Sequence, residues 1–138
     1  MLKSQGVKRI MLEKIKSNKN MILCEALSLA ALLLGFSVYF LSAKNCFDIP
    51  LIRNFLPDFL WMVSFMLALV PLLKEVFKKH AIFISATICF LLSAVFELFQ
   101  FLGILSGTGD ILDVAVYFAA DVISCMIIKN IYVRRKPT

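Results

Sequence analysis

Four long apolar runs constrain this chain more than any other feature. They cover residues 21–43, about 57–73, 81–103 and about 110–132. A backbone crossing lipid finds no water for its N–H and C=O groups, so it must bond to itself, as a helix or a closed barrel. Each run is therefore predicted as one helix. The second is the shortest: its 17 residues rise only ~25 Å, marginal against a hydrocarbon core of ~30 Å. Composition agrees with a lipid solvent. Of 138 residues, 61% are hydrophobic and 17% charged, and a soluble domain of that length has too much surface to hide so much apolar side chain. The fold class predicted is an all-α membrane protein, a four-helix transmembrane bundle in one domain.

Residues 1–20 form a basic N-terminal segment, 21–132 the transmembrane domain and 133–138 a basic tail. The first apolar run is too long for a signal-peptide core and no A-x-A site follows it, which predicts a retained anchor. For the basic segment two readings stand side by side. Val7, Ile10, Met11 and Ile15 recur at helical spacing, as in a short helix lying on the cytoplasmic leaflet; the other reading is a frayed basic tail.

Positive charge predicts the orientation. Six Lys or Arg lie in residues 1–20, three in 74–80 and four from residue 129 onward, against two, Lys44 and Arg53, in 44–56. Basic loops stay on the cytoplasmic side, so both termini are predicted inside, and 44–56 and 104–109 outside. The net charge of +6 then serves an anionic membrane surface, with membrane lipids as partners, and not nucleic acid, since no basic patch interleaves with aromatics in a soluble module.

The chemistry-bearing residues collect at one depth. Glu97 and Gln100 are three apart near the outer end of the third run, and Asp110 and Asp113 are three apart at the outer start of the fourth. Residues three apart share a helix face. Tyr117 and Asp121 extend the Asp110 stripe inward, while Asp58 starts the second run with Arg53 and Asn54 in the loop just ahead of it. A turn through LSGTG brings the two pairs together. Asp in mid-membrane costs about 2.5–3.5 kcal/mol on insertion scales, so such residues are expected to pair, to face a hydrated cavity, or to serve a function. Each has a structural reading too: polar side chains join membrane helices, and Asp110 beside Gly107 and Gly109 is a natural helix cap. Together they define the predicted ligand-binding set: Arg53, Asp58, Glu97, Gln100, Thr108, Asp110 and Asp113, with Glu97 and Asp113 the candidates should any catalysis occur.

No cofactor or metal is expected. The lone histidine, His80, sits in a basic connection, and Cys24, Cys46, Cys89 and Cys125 form no C-x-x-C pair; the cysteines read as small apolar packing residues.

Three stretches, RNFLPDFLW (53–61), ELFQ (97–100) and GTGDILDVAVY (107–117), resemble the VanZ-like family of small bacterial membrane proteins in their order and spacing, over roughly residues 53–122. Family members often carry Asn four residues after the second Asp and Gly three residues later, where this chain has Tyr117 and Ala120. The family takes its name from a protein associated with resistance to teicoplanin, an acylated glycopeptide. The resemblance implies a bacterial plasma-membrane location and carries over Arg53, Asp58, Glu97, Gln100, Asp110 and Asp113.

Four function classes follow in order. The first is a protein binding an amphiphilic cell-envelope ligand, a lipid-linked precursor or an acylated glycopeptide. The second is a purely structural small membrane protein. The third is an enzyme using paired carboxylates on a lipid-linked substrate, against which stand the lack of an evident nucleophile–base pair and of a phosphate-binding glycine loop. The last is a transporter or proton relay, which four helices without an inverted repeat support poorly unless the chain forms a homo-oligomer.

Overall fold

The computed structural model describes residues 2–44, 49–105 and 111–133. Within them the chain forms α1 (Leu2–Ala43), α2 (Pro50–Phe77), a single 3-10 turn (Lys78–His80), α3 (Ala81–Phe101) and α4 (Ile111–Val133), with no strand.

α1 settles the two readings of the basic segment in a third way. The segment is neither a separate surface helix nor a frayed tail, because its backbone continues into the first apolar run as one helix of 42 residues, about 63 Å long. No proline interrupts residues 2–43, so nothing in the backbone requires a break.

α2 begins seven residues before the predicted start. Pro50, not Pro57, occupies the first helical turn, where a missing N–H is not needed. Pro57 and Pro71 both lie inside the helix. Each deprives one carbonyl of its partner, yet the helix continues, since unravelled backbone would leave several such groups unbonded in an apolar setting. Two expectations are corrected as a result. The helix has 28 residues and rises about 42 Å, so its length is not marginal. Arg53 and Asn54 belong to the beginning of α2, not to a loop ahead of it.

At its other end α2 stops where Lys78 adopts φ 43°, and its backbone N–H closes on the Lys74 carbonyl. The 3-10 turn then sends α3 back along α2. α3 ends two residues sooner than predicted, at Phe101, because Gly103 takes φ +70°. The Ile104 N–H bonds the Phe99 carbonyl at 2.9 Å and the Gly103 N–H bonds that of Gln100 at 3.0 Å. Paired reverse bonds of this kind satisfy carbonyls that a helix end leaves open, and the left-handed residue they need is least strained as glycine.

α2 is the centre of the packing. It touches all three other helices, α3 and α4 touch each other, and α1 lies mainly along α2. Small residues let α1 approach: Ser28 and Ala31 are buried, and Gly35 faces Trp61 so closely that a Cβ there would lie 2.5 Å from its ring. The Ser28 hydroxyl donates to the Ser64 carbonyl at 2.8 Å. On α3 the buried residues are Ala81, Ser85, Cys89, Ser93 and Glu97, one every fourth position, which is the stripe a helix turns toward its neighbours.

The distribution of polarity is inverted relative to a water-soluble protein. Asn20, Ser28, Ser64, Ser85, Ser93, Glu97, Asp121 and Ser124 are buried, while Phe83, Phe101 and Ile111 are 74%, 76% and 83% exposed. In water that arrangement would be costly twice over; in lipid the outward apolar side chains are solvated and small polar residues join the helices. Three helical stretches, Ser17–Ala43, Ile52–Phe101 and Ile111–Tyr132, are long and apolar enough to cross a membrane. The middle one contains both α2 and α3 folded back on each other. This is a helical protein with the character of a membrane protein.

Candidate functional site

The buried stripe of α3 ends at Glu97, 6% exposed, and there it meets α4. The Tyr117 hydroxyl donates to Glu97 Oε1 at 3.2 Å. Asp113 lies one turn before Tyr117 on α4, and residues four apart share a face. From α2, Asp58 lies within electrostatic reach of both Glu97 and Asp113, and Tyr117 within reach of all three acids. Three helices thus each bring one carboxylate into electrostatic reach of Asp58 or Tyr117.

Asp58 and Tyr117, the Glu97 partner, border a cleft of about 270 Å³, lined also by Trp61 and Phe65 from α2 and by Ser93 and Phe96 from α3. None of its described lining residues is basic. Ser93 is held by its own helix, its hydroxyl donating to the Cys89 carbonyl at 2.8 Å. Trp61 is fixed by the rings of Phe36 and Tyr39, with centroids 5.5 and 5.9 Å away. Its indole Nε1 is buried with no hydrogen-bond partner among the described residues. That N–H lies against Gly35 of α1, so the polar groups of the cleft are the Asp58 carboxylate and the Ser93 and Tyr117 hydroxyls.

Not every predicted residue joins this group. Arg53 is exposed at the beginning of α2, where its Nε donates to Asn54 Oδ1 at 3.3 Å, and it forms no ion pair with the acids among the described residues. Gln100 is half-buried one turn beyond Glu97, and its side chain makes no hydrogen bond among the described residues. Thr108 and Asp110 lie outside the described residues, as does Cys46. Asp121, placed on the same stripe by its spacing, opens elsewhere: it is 5% exposed, its Oδ1 has no hydrogen-bond partner among the described residues, and it borders a separate cleft of about 430 Å³ between α3 and α4 with Thr87, Phe90, Phe118 and Lys129.

Trp61 and Ser93 were not among the residues singled out from the sequence. Their spacing carried a signal: Trp61 is one turn after Asp58, and Ser93 one turn before Glu97. An apolar groove completes the surroundings. It has about 470 Å³ and runs between α2 and α4, lined by Ile52, Phe55, Leu56, Phe59, Leu112 and Val116 among others. Asp58 and Asp113 are the immediate chain neighbours of Phe59 and Leu112, so the groove passes at the depth of these acids on an adjoining helix face.

Chemically, carboxylates gathered in a low-dielectric setting disfavour one another's charge and favour any hydrogen-bond donor or cation that reaches them. Among the described residues no group of three or more His, Cys, Asp or Glu is spaced to hold a metal ion. No family model, curated protein or solved structure matches the chain.

Proposed function

We propose that the chain is a VanZ-like protein of the bacterial plasma membrane, crossing it as a four-helix bundle with both termini in the cytoplasm, and that its outward-facing acids bind an amphiphilic cell-envelope ligand. The ligand is a lipid-linked precursor or an acylated glycopeptide such as teicoplanin. The observation that carries this reading is the mutual electrostatic reach of Asp58, Glu97 and Asp113, with Asp58 lining a cleft and an apolar groove passing at the same depth. Amine or amide N–H groups of the ligand head donate to the carboxylates in charge-assisted bonds, and its acyl tail follows the groove between α2 and α4. Outward placement follows from the concentration of Lys and Arg at the other end of the helices. The small-residue contacts of α1 with α2 and the buried stripe of α3 support a bundle that is preformed around the site.

One observation favours a second reading. The Tyr117–Glu97 hydrogen bond joins α4 to α3, as it would in a protein whose acids serve only to hold the helices together. Inhibitory concentrations of teicoplanin and vancomycin in a susceptible host separate the two, measured for wild type, Glu97→Gln and Asp113→Asn with membrane protein levels determined in each. Protection against teicoplanin by wild type, lost in variants that accumulate normally, supports the binding site. Variants that fail to accumulate support the structural reading. No protection by wild type removes teicoplanin as the ligand.

A further inference from the structure

The far end of the helices carries a cleft of different chemistry. It has about 440 Å³ and is lined by Ser17 and Asn18 of α1, Lys74 of α2, Lys78 and Lys79 of the following turn, and Tyr132 of α4. Glu75 also borders it, so three ammonium groups face one carboxylate. The C-terminal end of α2 adds the equivalent of roughly half a negative charge, which the lysines outweigh. The cleft is built, not a chance gathering of surface lysines. The Lys74 ammonium lies 3.0 Å from the centre of the Tyr132 ring, a cation–π contact that restricts it, and Tyr132 itself packs beside Cys24 of α1. Lys78 leaves the helix through its left-handed backbone, which turns it and Lys79 off the end of α2. Beside the cleft, Leu72 and Val76 are 67% and 70% exposed one helical turn apart, an apolar track leading away from the charges.

We propose that this cleft is a headgroup site for an anionic phospholipid. The phosphodiester takes hydrogen bonds from Lys74, Lys78 and Lys79, the polar side chains of Ser17 and Asn18 contact the rest of the headgroup, and the acyl chains lie along Leu72 and Val76. Charge complementarity selects the lipid, as basic pockets between membrane helices do for acidic headgroups. The site does not depend on the acids at the other end.

The test is native mass spectrometry of the full chain released from a neutral detergent containing equal amounts of phosphatidylglycerol and phosphatidylcholine with the same acyl chains. Wild type retains phosphatidylglycerol preferentially. Lys74→Gln lowers that preference about fivefold, Lys78→Gln with Lys79→Gln lowers it further, Lys74→Arg preserves it, and Glu75→Gln raises it. Should Lys74→Gln not fold, the Lys78 and Lys79 pair, exposed on the turn, carries the test alone. Equal retention of the two lipids by wild type overturns the proposal, as does an unchanged preference in the Lys78 and Lys79 double variant. Displacement of phosphatidylglycerol by millimolar inorganic phosphate overturns it too, because the cleft would then recognise a free anion and not a lipid.

Discussion

At Glu97 a carboxylate almost sealed from solvent accepts the Tyr117 hydroxyl at 3.2 Å, and the two residues join α3 to α4. Tyr117→Phe removes the donor and keeps the ring. The expected loss is about 1 kcal/mol of stability, the usual net worth of such a bond, read as a lowered melting temperature in detergent; an unchanged or higher melting temperature would mean the bond contributes nothing. Gly35 presents the opposite problem, since it has no room. A methyl group there would meet Trp61 at 2.5 and 2.7 Å, and Trp61 is enclosed by Phe36 and Tyr39. Gly35→Ala should cost about 1–3 kcal/mol by overpacking and shift the Trp61 emission. A variant that melts with wild type and emits identically would show that α1 can draw back freely. Glu97 and Asp113 stand out in the sequence by type and spacing, because an acid in an apolar run needs a reason. Trp61 and Ser93 do not, because a serine or a tryptophan in such a run needs none, and only the rotational setting of α2 against α3 turns them into one cleft.

Helix limits were legible wherever a strong local signal agreed with the solvent. α3 and α4 fall within two residues of the runs that predicted them, and their 21 and 23 residues rise about 31 and 35 Å, close to the thickness of a hydrocarbon core. α2 shows where local signals compete. Pro57 followed by Asp58 has the form of a helix start, and so does Pro50; the polar Arg53 and Asn54 between them suggested a loop. The helix extends to Pro50 because a folded first turn satisfies backbone groups that an open one would not. Which face of α3 turns inward is a matter of size. Cys89 is fully buried and Leu91 is 57% exposed. Cys89→Phe should destabilise by about 1–3 kcal/mol, while Leu91→Phe should leave the melting temperature unchanged. The reverse order would place the wrong face of α3 against α2.

Over the whole molecule, lipid as the solvent accounts for what is inside and what is outside. Serines, an asparagine and acids are buried while phenylalanines and leucines are exposed, and this inversion was legible in composition alone. The side on which each end lies is a prediction from charge. Single cysteines at Ser17 and Ser106, in a cysteine-free background, should be labelled by an impermeant thiol reagent from the cytoplasmic and outer sides respectively. The opposite labelling would put the acids inside the cell and remove an external amphiphile as their ligand. What no sequence pattern revealed was the separation of the polar residues into an acidic cleft, the Asp121 cleft and a lysine cleft, which depends on three-dimensional crossings of α2, α3 and α4. The central claim concerns the first of these, and the chain supplies its own reporter, since Trp61 is its single tryptophan and borders that cleft. The most direct measurement is Trp61 fluorescence of the reconstituted protein during titration with a single-chain alkylamine, compared with a neutral alkyl alcohol of the same length. The account predicts a saturable emission change with the amine, much smaller with the alcohol and lost in Glu97→Gln and Asp113→Asn variants that retain the wild-type helical signal. A change that never saturates, or one that persists in both variants, would contradict it.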